Sequence, residues 1–104
     1  MQGIFAIELI SVYYIRAMKL KKKARNPIIK AFQFLLSDQR SNKNMTQNAF
    51  SKKCGFSRQY VSLVESGQRM PSLDFALNMA HVFEINVKDF MNQLVDKISY
   101  YENL

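Results

Sequence analysis

The chain has 104 residues, 48% of them apolar and eight of them Phe, which is enough for one small helical core with appendages and leaves no room for two domains. Its formal charge of +7 is unevenly spread: residues 1–40 carry eight basic and two acidic side chains, residues 41–73 five and one, residues 74–104 two and five. The front two-thirds therefore suit a polyanion and the rear faces away from it, while the single cysteine, Cys54, excludes an internal disulfide or a cysteine-based metal cluster and fits a reducing cytoplasm.

Residues 1–18 are mostly apolar, with Glu8 as the one acidic residue, and carry no early positive charge. They are too short and too interrupted for a membrane span of about 20 residues, and their flanks are wrong for a signal peptide. Two readings stay open: an accessory amphipathic helix or strand that packs on the domain or a second subunit, or an artificial extension ahead of a natural start at Met18. Lys19 to Pro27 is a basic run. It is either a solvated linker or an arm whose Lys21, Lys22 and Lys23 lie along phosphates and release counterions. Residues 1–26 are thus an extension, and residues 27–104 form the helical unit.

Pro27 suits a first helical turn, and Ile28, Phe32, Leu35 and Leu36 recur at helical spacing, with Arg40 near the end. Thr46 and Ser57 then stand as N-caps of two short helices. Their hydroxyls can accept from the free N–H groups of the next turn. Met45 with Phe50, and Phe56 with Val61, bracket the two caps as hydrophobic staples. Gly55 and Gly67 supply residues that enter the left-handed region freely. Two capped helices joined by a turn of three to four residues form a helix-turn-helix, which implies a grip on duplex DNA. Cys54 falls on the inner face of the first of these helices, as a small apolar core residue.

A fourth helix is predicted from Ser72 to about Phe83, with Leu73, Ala76, Leu77, Met79, Ala80 and Phe83 inward. His81 has no companion at metal-ligand spacing and reads as a surface or core-edge residue. Asn86 caps a fifth helix with Asp89 in its first turn, and Val87, Phe90, Met91, Leu94, Ile98 and Tyr101 share one stripe. The stripe through Leu94 closes the core; its outer turns read as an interface.

Thr46-Gln47, Gly55, Val61-Ser62, Glu65, Gly67 and Pro71-Ser72-Leu73, all in register, resemble the phage-repressor and Cro-type (XRE) helix-turn-helix family over roughly residues 28–91. The resemblance implies an all-α, five-helix, lambda-repressor-like fold with the third helix in the major groove. It also implies an ion pair between Arg40 and Glu65, which closes the recognition helix. Three positions depart from the family pattern: Ser51 stands for Ala, and Asn44 and Glu84 each stand for Gly. Ser is small and Asn tolerates positive φ, whereas Glu84 resists the left-handed turn that would end the fourth helix.

With Val61 and Val64 inward, the third helix offers Arg58, Gln59, Ser62 and Leu63 outward. Arg58 can fork to guanine O6 and N7, Gln59 can pair with the adenine edge, and Leu63 can meet a thymine methyl, although partial burial against the second helix is the plainer alternative. Thr46 and Gln47, at a helix N-terminus, and Ser66, Gln68 and Arg69, just after the recognition helix, read as phosphate anchors. The sequence therefore points to a cytoplasmic, sequence-specific regulator of transcription that binds double-stranded DNA as a homodimer, most simply as a repressor. The competing reading is an antitoxin-like module that masks a partner enzyme through residues 1–15 and the fifth-helix stripe. No paired carboxylates, phosphate-cradling loop, metal cluster or cofactor motif supports an enzyme.

Overall fold

A computed structural model describes residues 26–104. Residues 1–25 of the extension, with its apolar segment and with Lys21, Lys22 and Lys23, lie outside the described residues, and Asn26 already belongs to the first helix. Among the described residues there are five helices and no strand: α1 (residues 26–42), α2 (Gln47–Cys54), α3 (Arg58–Glu65), α4 (Leu73–Val82) and α5 (Val87–Glu102). This is the all-α, five-helix architecture expected from the sequence.

Local chemistry sets the helix starts. Thr46 accepts from the Ala49 N–H at 3.0 Å, Ser57 from Tyr60 at 3.1 Å, Ser72 from Phe75 at 3.2 Å and Asn86 from Lys88 at 2.9 Å. Each hydroxyl or amide oxygen satisfies one of the N–H groups that a helix start leaves without a partner. Ser72 is a cap, and α4 begins one residue later, at Leu73.

The stops repeat one device. At the ends of α1, α3 and α4, an N–H bonds back five residues and its predecessor bonds back three. The pairs are Met45 to Arg40 with Asn44 to Ser41, Gln68 to Leu63 with Gly67 to Val64, and Ile85 to Ala80 with Glu84 to His81. This double closure needs a left-handed residue in the middle. Asn44 (φ 52°), Gly67 (φ 77°) and Glu84 (φ 56°) all take that conformation. Glu84 therefore ends α4 where a glycine would have, despite the clash of its Cβ. Gly55, at φ 79°, turns the chain from α2 into the three residues that precede α3.

The core comprises Ala31, Phe32, Leu35 and Leu36 of α1, Phe50 and Cys54 of α2, Val61 and Val64 of α3, Phe75, Ala76, Met79 and Ala80 of α4, Phe83 at the end of α4, and Phe90 and Leu94 of α5. The Phe50 ring stacks on Phe83 at 5.1 Å and meets Phe75 edge-on at 6.0 Å. Ser51, where α2 packs on α3, is buried and turns its hydroxyl onto its own backbone, donating to the Asn48 carbonyl at 2.8 Å.

Two expectations about apolar faces are corrected. Leu73 and Leu77 were expected inward on α4, but they are 67% and 38% exposed, while Phe75 is fully buried. A helix turns 100° per residue, so an inward arc centred on Phe75 and Ala76 leaves Leu77 roughly 200° round from Phe75. On α5, the outer stripe does not outlast the domain. Leu94 is buried, and Ile98 and Tyr101 pack against the same core. Val87, expected on the buried stripe, is 47% exposed instead, and α5 also leaves Val95 and Tyr100 in solvent. No helix among the described residues is long and apolar enough to cross a membrane.

Candidate nucleic-acid interface

Helix α3 is eight residues long and strongly amphipathic. Val61 and Val64 are fully buried, and the residues around them divide by face: Arg58, Gln59 and Ser62 are exposed, while Tyr60 and Leu63 are half-buried. Leu63 is thus less open than a free outward position would make it.

With only two fully buried side chains, α3 is fixed largely at its ends. At its C-terminus the Arg40 guanidinium forks onto the Glu65 carboxylate. Nε reaches Oε2 at 3.0 Å, Nη2 bonds Oε1, and Nη1 continues to the Met45 carbonyl at 2.8 Å. The two side chains retain 19% and 13% exposure, so the pair is largely but not wholly removed from water. The hydrogen bond to Glu65 raises the Arg40 pKa further above its already high ordinary value, so the guanidinium stays charged. One fork therefore joins α1, the α1–α2 turn and the end of α3.

Three further side chains brace the helix-turn-helix, two of them at α3 itself, and sequence reading assigned none of them a role. Gln33 on α1 donates to the Glu65 carbonyl at 3.2 Å and satisfies an orphan acceptor at the helix end. The absence of a Cβ at Gly67 makes room for it, since a Cβ there would lie 2.6 Å from the Gln33 side-chain oxygen. Asn78 on α4 donates to the Cys54 carbonyl at 2.8 Å and ties α4 to the end of α2. Tyr60 accepts from the Ser72 N–H at 3.0 Å and so joins α3 to the start of α4. Spacing alone gave no signal for these residues, because each acts across the fold on a backbone group.

The other residues singled out from the sequence lie around α3. Thr46 and Gln47 sit at the N-terminus of α2, where Thr46 is exposed and already caps the helix. Ser66 donates to the Leu63 carbonyl at 3.1 Å, and Gln68 donates to the Ser66 hydroxyl at 3.0 Å, which orders the chain just after α3. Arg69 lies over the Tyr60 ring, its guanidinium carbon 5.1 Å from the centroid. Lys52 and Lys53 are exposed in the last turn of α2. The Cys54 thiol is buried, and that burial pushes its pKa up, which opposes thiolate chemistry. His81 is exposed, and no cluster of three metal-ligating side chains occurs among the described residues. The face is hydrogen-bonding and positively charged, built on an anchored short helix.

Comparison with known proteins meets this geometry from outside. A family model described as helix-turn-helix matches residues 36–90, from the end of α1 into α5. An uncharacterized HTH-type transcriptional regulator of Methanocaldococcus jannaschii is 39% identical over 46 residues, 44% of this chain and 70% of that protein. One from Archaeoglobus fulgidus is 36% identical over 50 residues, 48% of this chain and 70% of its own length. The crystal structure of the clp gene regulator ClgR from Corynebacterium glutamicum superposes with a TM-score of 0.58 at 19% identity, over 75% of this chain and 79% of that one, a likeness of fold.

Proposed function

The chain belongs to the helix-turn-helix family, and on that premise we propose that it is a sequence-specific regulator of transcription that binds double-stranded DNA with α3 in the major groove. The observation that carries this reading is the division of α3: Val61 and Val64 hold it down while Arg58, Gln59 and Ser62 remain exposed. Arg58 and Gln59 read guanine and adenine edges, Ser62 adds a hydroxyl, and the open part of Leu63 meets a thymine methyl. Thr46 and Gln47 on one side, and Ser66, Gln68 and Arg69 on the other, hold phosphates and set the register. Lys21, Lys22 and Lys23 add counterion release. Their part rests on charge alone.

The protein acts as a homodimeric repressor. A helix of eight residues is about 12 Å long and reads only a few base pairs, too few to single out one site in a genome. Two copies on a two-fold axis double the site, with recognition helices about 34 Å apart and an inverted-repeat operator. The stripe first favoured for the dimer contact packs into the domain's own core. The contact therefore draws on other apolar side chains at the C-terminal end, among which Tyr100 is 55% and Leu104 78% exposed.

Selection of bound duplexes from a random library tests the proposal. Enrichment of an inverted repeat with half-sites one helical turn apart is expected. Recovery of sequences no different from the starting pool would overturn sequence-specific recognition.

A further inference from the structure

We propose that Tyr60 is a positioning residue for the phosphate anchor at Arg69, its ring pre-orienting the guanidinium that the reading above assigns to DNA. Tyr60 belongs to α3 but faces the link of residues 66–72 that leads to α4. On the protein side its ring packs against Phe56 (4.8 Å between centroids) and Phe75 (5.0 Å). Phe56 and Phe75 also meet each other edge-on at 5.1 Å, so the three rings form one wedge between the α2–α3 turn, α3 and α4. The Tyr60 hydroxyl takes the Ser72 N–H, which fixes the far end of the link. The ring takes the Arg69 guanidinium, which fixes its middle.

A guanidinium held over a ring by cation–π attraction keeps N–H groups along its outer edge that can donate elsewhere. Among the described residues that edge has no hydrogen-bond partner, and an anion of phosphate geometry can accept from it in bidentate fashion. An arginine in a free link would lose rotamer freedom on meeting DNA, and one already held loses less. Tyr60 itself sits on α3, the proposed recognition helix. The distance between base-reading residues and the flanking phosphate contact is therefore set by one rigid wedge, not by the link.

The experiment is a salt titration of binding to a selected duplex, followed by fluorescence anisotropy, for the wild type, Arg69→Ala, Tyr60→Phe, Tyr60→Leu and the double variant Tyr60→Leu/Arg69→Ala. Arg69→Ala is expected to flatten the slope of log affinity against log salt by about 0.9, the signature of one lost phosphate contact. Tyr60→Leu should weaken binding roughly two- to five-fold and flatten the slope in part. Arg69→Ala should then cost less in the Tyr60→Leu background than alone. Tyr60→Phe keeps the ring and should keep the wild-type slope. A purely structural tyrosine would lower melting temperature without touching the slope of the folded protein.

A folded Tyr60→Leu variant with the wild-type slope and additive losses would overturn the inference. Should circular dichroism show that Tyr60→Leu is unfolded, the Arg69 side-chain proton shifts in the free wild type and in Tyr60→Phe decide instead. Upfield ring-current shifts support the stacking, and random-coil shifts overturn it. An Arg69→Ala variant with an unchanged slope would sink this inference and leave base reading by α3 standing, whereas a wild type that binds no duplex would sink both.

Discussion

Helices α3 and α5 are held in opposite ways. Helix α3 buries only Val61 and Val64 fully and is pinned at its ends by polar contacts: the Ser57 cap, the Tyr60 bond to Ser72, Gln33 on the Glu65 carbonyl and the Arg40 fork. Helix α5 is twice as long and carries an apolar line, Phe90, Leu94, Ile98 and Tyr101, along the core, with few polar ties beyond its Asn86 cap. A helix that leaves most of its circumference open cannot rely on a wide apolar face, so its ends are fixed instead. A helix that turns a long apolar line inward can lie down along its length.

The largest expected effect breaks this contrast from the α5 side. Leu94→Ala removes a buried anchor, and about 2 to 5 kcal/mol of stability should go with it. Asn92→Ala, on the exposed side of the same helix, should change stability by less than about 0.5 kcal/mol. Urea unfolding followed by circular dichroism measures both. Similar midpoints for the two variants would mean that Leu94 is not a core residue. The oligomeric state of Leu94→Ala is expected to follow its folding, because the side chain faces inward.

From the α3 side, Arg40→Ala or Glu65→Ala leaves one largely buried charge without its partner. Full burial would put the cost at about 3 to 5 kcal/mol; the exposure that the pair retains places it at or below the lower end. The double substitution should cost less than the sum of the singles. Additivity in a double-mutant thermal melt would show that the fork contributes nothing in solution.

How much of this was legible beforehand follows the same contrast. Caps and left-handed stops are written in single residues, so Thr46, Ser57, Asn86, Gly55 and Gly67 marked their turns from the sequence. The Arg40–Glu65 contact entered through family resemblance. Stripes were less legible. Leu73 and Leu77 matched the helical period as well as Phe75 did, and only the position of the aromatic wedge decides which arc of α4 turns inward. The outer α5 residues were apolar at the right spacing, but spacing does not say whether a face meets its own core or another chain. Gln33, Tyr60 and Asn78 act on backbone groups 12 to 32 residues away, and no local pattern encodes such pairings.

A smaller effect sharpens the account of what the anchored helix presents. Arg58→Ala and Gln59→Ala should each cost about 1 to 3 kcal/mol on the best site and relax base preference there. Gln47→Ala, at a proposed phosphate contact, should weaken all sequences alike. The stabilities of all three should stay close to wild type, because Arg58 and Gln59 are exposed and Gln47 is half-buried. Binding across a site library separates the two behaviours. A uniform loss for all three would remove the groove assignment.

The smallest effect concerns the stops. Asn44, Gly67 and Glu84 close their helices with the same pair of hydrogen bonds and the same sign of φ, but with different residues. A Cβ in the left-handed region costs roughly 1 to 2 kcal/mol, less for Asn, whose short polar side chain settles there more readily. Replacing either residue with glycine relieves that strain and raises the entropy of the unfolded chain, which offsets part of the gain. Glu84→Gly should therefore stabilise by up to about 1 kcal/mol, a rise of several degrees in melting temperature for a domain of this size. Asn44→Gly should gain less or nothing. Glu84 is exposed, so no packing is lost in the exchange. If Glu84→Gly melted at or below the wild-type temperature, its φ of 56° would carry no net strain, and the end of α4 would be held by its two hydrogen bonds whatever residue stands between them.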